Sequence, residues 1–231
     1  MTIWAILPAA GVGLRMGSNT PKQYLPLNGK TVIEQTLSRL IAVSPIKQII
    51  AVLHAQDETW STLDLHANSK LLCVEGGEDR YQSVLNGLLS LHSRVESSDW
   101  VLVHDAVRPC VRVKDIEHLI AELRSHPTGG LLGAPVDNTL KRVNSADEIL
   151  ETVDRSAIWN AFTPQMFRYG LLLDALMQID DVNRVTDEAS AIEQLGHAPK
   201  FVLGSKDNIK ITHANDLIMA QKILEAQAAE L

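Results

Sequence analysis

The chain has 231 residues, 45% of them hydrophobic and 21% charged, the balance of an ordinary soluble globular protein long enough to bury a large core without covalent staples. Its net charge of −7 and the lack of any basic stripe argue against nucleic-acid binding, and no apolar run reaches membrane-spanning length. Neither of the two cysteines, Cys73 and Cys110, stands in a C-x-x-C pair, so neither a zinc site nor a disulfide framework is indicated; Cys73 lies in an apolar run and is expected in the core.

Residues 3–7 form an apolar run that reads as a buried first strand. The chain enters it from Met1 with no cationic leader or small-residue cleavage site, so the cytoplasm is the expected location. Residues 7–25 follow, LPAAGVGLRMGSNTPKQYL. Pro8 and Gly11 break the strand pattern, and Gly13 and Gly17 let main-chain N–H groups approach a ligand closely. A loop at the carboxyl end of a parallel strand is where open α/β sheets bind phosphates and nucleotides. The dinucleotide pattern G-x-G-x-x-G fails at Met16, and the Walker pattern fails because Ser18 follows Gly17. The two cations of the loop, Arg15 and Lys22, suggest that charge is stabilised while phosphorus chemistry proceeds; the alternative is a glycine-rich surface turn with two solvated cations.

Residues 31–43 carry Val32, Ile33, Leu37, Leu40 and Ile41 at helical spacing, and 48–53 form a second strand. A short helix is expected over 57–66 and a third strand over 70–74. The segment 76–83, GGEDRYQS, ends that strand and opens a helix whose apolar face includes Val84, Leu88, Leu89 and Leu91. Its Gly-Gly turn is a second candidate ligand loop, with Arg80 and Ser83 facing the cleft, or an ordinary turn. A very apolar strand over 100–103 leads into HDAVRP. There Asp105 can hold Mg²⁺ against phosphate oxygens and Arg108 can bind a second anion, while His104 is read as a satisfied structural group.

A helix over 114–125 and a strand over 129–136 come next. Residues 137–155 then break the βα rhythm: 139–143 and 149–153 read as two short strands around a polar turn, a hairpin inserted into a parallel scheme. An isolated hairpin is marginal in water, so it is expected to pack on something, plausibly a second subunit. Residues 162–165 lead into a helix over 169–178. Thr186 is expected to cap a further helix, with Asp187 and Glu188 in its first turn. A late strand over 200–203 precedes GSKDNIK, in which Asp207 is a possible second metal carboxylate and Lys210 an anion ligand, though a solvated turn fits the spacing equally. An amphipathic helix over 215–229 ends the chain. One α/β domain spanning 1–231 is expected, with Gly11, Gly13, Arg15, Lys22, Gly77, Asp105, Arg108, Asp207 and Lys210 on one edge of one sheet. That set favours phosphoryl or nucleotidyl transfer over hydride transfer.

Taken together, PAAGVGLRM…PKQY, GGEDRYQSV, VHDAVRPC, APVDNTLKR, TVDRSAIWNAFTPQ, TDEASA and DNIKIT resemble the 2-C-methyl-D-erythritol 4-phosphate cytidylyltransferase family along nearly the whole chain. The resemblance implies a Rossmann-like, mostly parallel sheet with helices on both faces, of nucleotidyltransferase type, with 137–155 as a β-hairpin dimerisation arm. It implies transfer of CMP from CTP to the phosphate of 2-C-methyl-D-erythritol 4-phosphate, with release of pyrophosphate, in the non-mevalonate isoprenoid route. Pro8, Ala9, Ala10, Gly11, Gly77, Glu78, Arg80, Ser83 and Ala106 would line the CTP site. Arg15 and Lys22 would stabilise charge at the α-phosphorus, and Asp105, with Asp207 less certain, would hold Mg²⁺ or another divalent cation. Arg108, Thr163 and Lys210 would hold the polyol phosphate, and Thr139 and Arg155 would reach into the neighbouring subunit of a homodimer. Glu78 stands where many members carry Asp, and Val107 where Ala is frequent. The attacking phosphate monoester has a second pKa of about 6, so no general base is needed. Three alternatives remain at this point: a cytidylyltransferase for another polyol phosphate such as ribitol 5-phosphate, a dinucleotide-dependent dehydrogenase, and a non-catalytic nucleotide-binding regulator.

Overall fold

In the computed structural model the described residues are 1–11, 20–179 and 185–230. Alternation dictates the centre of the fold. Strand β1 (Ile3–Pro8) places Ile3, Ala5 and Leu7 in one apolar cluster and Trp4 and Ile6 in another, all nearly inaccessible to solvent. A strand apolar at every position must be covered on both faces. Helices α1 (Val32–Ala42) and α3 (Val113–Leu123) supply one cover through Ile33, Leu37, Ile116 and Leu119. Helices α2 (Arg80–Leu89), α4 (Tyr169–Met177) and α5 (Glu188–Gln194) supply the other through Val84, Leu88, Leu172 and Ile192. Each such side chain stabilises the fold by roughly 1.5–3 kcal/mol on full burial.

The main sheet has seven strands in the order β11-β7-β10-β6-β1-β4-β5, with β4 (Ile46–Leu53), β5 (Leu71–Glu75), β6 (Trp100–Val103), β7 (Gly129–Pro135), β10 (Trp159–Arg168) and β11 (Lys200–Leu203). All pairings are parallel except those of β10, which runs antiparallel to both β6 and β7. The carboxyl ends of β1, β5 and β6 therefore open on one edge. A small ribbon of β2 (Pro26–Leu27) and β3 (Lys30–Thr31) turns at Asn28 and Gly29, both in the left-handed region, and delivers the chain to α1, where Thr31 and Glu34 form a capping box. The terminal helix α6 (Ala214–Ala229) packs Ala220 and Leu224 against Leu27, Val32, Val107 and Cys110.

The expected hairpin is present as β8 (Leu140–Val143) and β9 (Ile149–Val153), paired only with each other. Arg142 and Glu151 face each other across it at 2.6 Å, while Val143, Ile149 and Leu150 stand exposed.

Several sequence expectations need correction. Residues 57–66 do not form an α-helix but two short 3₁₀ turns, Trp60–Thr62 and Asp64–Ala67. The buried Trp60 and Leu63 lie three apart, the 3₁₀ repeat, and the Asp57 carboxylate accepts from the Thr59 and Trp60 N–H groups. The strand β10 was not expected beyond a lead-in at 162–165. Pro164 hid it, because proline rarely sits inside a central strand; here it falls in the register break between Ala161 and Gln165, where no ladder donor is required. Leu89 is exposed rather than on the apolar face of α2. Asp187, not Thr186, caps α5, accepting from the Ser190 N–H at 2.9 Å. Cys73 is exposed on the edge strand β5, not in the core. Helix α6 is only weakly two-sided, since Ile218 and Met219 face solvent.

Candidate active site

A cavity of about 270 Å³ opens at the carboxyl edge of the sheet. Every nucleotide-side residue expected from the sequence lies on its wall: Pro8, Ala9, Ala10 and Gly11 after β1, Gly77, Glu78, Arg80 and Ser83 around the start of α2, and Ala106 after β6. Lys22, Gln23, Asp79, Asp105, Val107 and Lys210 complete it, so the loops after β1, β5, β6 and β11 converge as the parallel scheme requires. Arg15 and Gly13 lie in 12–19, outside the described residues.

Local bonding fixes each wall. Gln23, which the sequence reading passed over within its PKQY motif, is buried and donates from Nε2 to the carbonyls of Ala9 at 2.8 Å and Gly11 at 3.2 Å. It clamps the entry to the glycine loop. On the opposite wall Asp79 caps α2, the Gly77 N–H donates to Ser83 Oγ at 3.2 Å, and the Glu78 N–H donates to Gln82 Oε1 at 2.9 Å. Lys22 reaches the Ile211 carbonyl at 3.2 Å, tying the first loop to the last.

Asp105 is the electrostatic centre. It is 6% exposed and surrounded by three cations: Arg80 Nε at 3.1 Å, Arg108 Nε at 3.3 Å and Lys210 Nζ at 3.0 Å. Burial pushes its pKa up, but Arg80, Lys210 and Arg108 outweigh burial and hold the carboxyl well below the usual range. Arg80 is in turn gripped by the buried Glu188, at 2.6 Å through Nη1 and 3.1 Å through Nη2. Burial works to lower the pKa of Arg80, while Glu188 and Asp105 raise it above the ordinary arginine value. The TDEASA motif had offered Glu188 only as a residue of a helix start; nothing in its spacing pointed across the sheet to Arg80.

Behind Asp105 lies a second layer. His104 is fully buried, with Nδ1 at 2.9 Å from Thr163 Oγ1 and Nε2 at 3.2 Å from the Arg108 carbonyl. Burial lowers its pKa to about 4, which agrees with a structural rather than a basic role. Thr163, expected to hold substrate, is also buried, and its hydroxyl accepts from the Asp105 N–H at 3.1 Å. Arg108 donates to the Asn208 carbonyl at 2.7 Å and lies over the Phe162 ring. Thr163 and Arg108 thus shape the loop around Asp105 and do not line the cavity.

Asp207 departs from expectation. Its carboxylate is held by Arg112 at 2.8 Å and by Gln227 Nε2 at 3.1 Å, which ties the last loop to α6, and it is not on the cavity wall. Thr139 and Arg155 flank the two strands of the arm and are exposed, and neither lines the cavity of their own chain.

Comparison with known proteins agrees with this architecture. Residues 3–226 match the model of the 2-C-methyl-D-erythritol 4-phosphate cytidylyltransferase family. A protein of that name from Hahella chejuensis is 50% identical over 223 residues, covering 96% of this chain and 92% of the relative. One from Pseudomonas savastanoi pv. phaseolicola is 48% identical over 217 residues, covering 93% and 92%. Among solved structures, a 4-diphosphocytidyl-2C-methyl-D-erythritol synthase superposes with a TM-score of 0.85 at 33% identity, covering 96% of this chain and 98% of the other. The Francisella tularensis 2-C-methyl-D-erythritol 4-phosphate cytidylyltransferase gives 0.83 at 36%, covering 96% and 100%.

Proposed function

Because the chain belongs to the 2-C-methyl-D-erythritol 4-phosphate cytidylyltransferase family, we propose that its cavity transfers CMP from CTP to the phosphate of that polyol, releasing pyrophosphate, in isoprenoid precursor synthesis. The observation that supports this reading is the single wall on which Gly11, Lys22, Asp105 and Lys210 meet. The nucleophile is a phosphate monoester, already anionic near neutrality, so the obstacle is repulsion between two anions rather than proton removal. Lys22, Lys210 and Arg15 offset that repulsion and the charge that develops at the α-phosphorus. The neutral, doubly bonded His104 is not needed as a base.

Cytosine is selected by what the second loop has left to offer. The Gly77 and Glu78 N–H groups are already spent on Ser83 and Gln82. Backbone carbonyls are what such a loop has left to accept from the exocyclic amine of cytosine, and a uracil carbonyl would leave them unpaired.

The cavity wall carries three carboxylates, Glu78, Asp79 and Asp105, of which Asp79 caps α2 and Asp105 is gathered among the cations. Among the described residues no group of three or more His, Cys, Asp or Glu could cage a metal. One hard carboxylate is enough for Mg²⁺ when phosphates and water fill its other positions. Asp105 would hold the ion, which neutralises phosphate charge when bound. We further propose a homodimer through the arm, in which Thr139 and Arg155 serve the partner's cavity and help to seat the polyol phosphate, and a cytoplasmic location. Among the described residues no helix is long and apolar enough to cross a membrane.

The test is pyrophosphate release with CTP, Mg²⁺ and either 2-C-methyl-D-erythritol 4-phosphate or ribitol 5-phosphate. Release with the first alone is expected. Release with the second alone would overturn the substrate assignment while leaving the nucleotide assignment standing.

A further inference from the structure

We infer that Glu188 is a positioning residue for the transfer reaction: it holds the Arg80 guanidinium in place as a brace for Asp105 and keeps it off the nucleotide phosphates. The inference rests on the cytidylyl-transfer reading for its substrate, but its evidence lies in the side chains.

A guanidinium offers five N–H groups in a rigid fork. Two of its nitrogens are taken by Glu188 and the third by Asp105, so Arg80 faces the cavity with its strong directions already committed. Glu188 is itself fixed from a different layer. It opens α5, and Gln165 of β10 grips that helix start twice, donating to Asp187 Oδ2 at 2.8 Å and accepting from the Ala189 N–H at 2.8 Å. Gln165 is 1% exposed and Glu188 2%. A buried ion pair contributes little net stability, because desolvation cancels much of the attraction. What this pair does supply is direction.

The three cations around Asp105 are consequently not equivalent. Arg80 is pinned by Glu188, and Arg108 by the Asn208 carbonyl. Lys210 is 41% exposed along its side chain and meets the carboxylate with a single ammonium. An arriving triphosphate can draw Lys210 across without disturbing the two arginines. Without Glu188, Arg80 would turn to the triphosphate too. The ground state would gain an ion pair, and Asp105 would lose the group that orients it. Stronger binding of substrate with weaker transition-state stabilisation lowers kcat and the nucleotide dissociation constant together.

The experiment measures CTP binding by calorimetry with Mg²⁺ and no polyol phosphate, beside kcat and the melting temperature. Glu188→Gln keeps the shape and removes the charge. It is expected to bind CTP about threefold or more tightly and to turn over about tenfold or more slowly, with the melt little changed. The double variant R80Q/E188Q leaves neither charge buried alone, which guards against failure to fold. It is expected to return CTP affinity to within about twofold of the parent while kcat stays low. Weaker CTP binding in E188Q, or tight binding that persists in the double variant, would overturn the inference. The binding arm decides it even if the parent releases no pyrophosphate, an outcome that would count against the proposed reaction alone.

Discussion

Lys22 lies on the cavity wall and donates to the Ile211 carbonyl at 3.2 Å. Its charge faces the site, so its removal is expected to weigh more on the reaction than on the fold. Lys22→Ala is expected to lower kcat for pyrophosphate release by roughly 100-fold or more, as loss of one charge-stabilising donor typically does, with a near-parental melting temperature. His104 makes the opposite case. It is buried and neutral, with its pKa lowered to about 4 against an ordinary value near 6.5. Between those values the unfolded chain binds a proton that the native chain refuses. Stability must therefore fall as pH drops from about 6.5 to about 4, by up to about 1.4 kcal/mol per pH unit for this one group. Asp105 adds to the loss at lower pH, because its carboxyl is held below the ordinary range and must be protonated. Chemical denaturation across this window measures the slope, and His104→Gln is expected to flatten it above pH 5.

At the scale of an element, the strand pair β7–β11 places the last loop of the site. Gly130 pairs with Lys200, and a Cβ at Gly130 would collide with the Lys200 backbone carbonyl. Backbone cannot step aside as a side-chain tip can. Gly130→Ala is expected to cost about 2–4 kcal/mol in urea unfolding and to raise the KM for the polyol phosphate, because the loop after β11 carries Lys210. If stability stayed within 0.5 kcal/mol of the parent, the close approach would be of no consequence. The clamp on the first loop is a single side chain of similar reach. Gln23→Ala frees the Ala9 and Gly11 carbonyls and is expected to raise the KM for CTP several-fold with little effect on melting.

At the scale of the molecule, a net charge of −7 opposes an anionic ligand, and the cavity answers with Lys22, Arg80 and Lys210 on a wall that also carries Glu78, Asp79 and Asp105. Screening confines the bulk repulsion to about 10 Å at moderate salt, so a local cluster suffices. The arm is the feature that one copy leaves unbalanced in energetic terms, with Val143, Ile149 and Leu150 in water and its two strands paired, among the described residues, with each other alone. Replacing 141–152 by Gly-Gly is expected to leave a folded chain that sediments as a monomer, slightly lighter than the 25.4 kDa parent chain, rather than as a dimer, with activity reduced about 100-fold because Arg155 no longer reaches a partner. An active monomer would remove the shared-site proposal.

Local chemistry made much of this protein legible from its sequence. Strands such as 100–103 and 200–203 carry their own signal, helix α1 carries its apolar spacing, and the hairpin carries its polar turn between two short strands. The post-strand loops could be placed on one edge because parallel topology leaves them nowhere else to go. What the sequence could not decide is long-range pairing. Whether Asp207 faces a metal or Arg112, and whether Thr163 meets a substrate or His104, depends on which side chain arrives from elsewhere in the fold. Strand β10 was hidden because its proline sits in a register break that only the neighbouring β7 creates. Glu188 and Arg80 are 108 positions apart, and only the tertiary fold brings the starts of α5 and α2 close enough for a carboxylate to meet a guanidinium. Periodicity reports the face that a residue turns to the core, whereas the partner it meets there is decided by the tertiary structure.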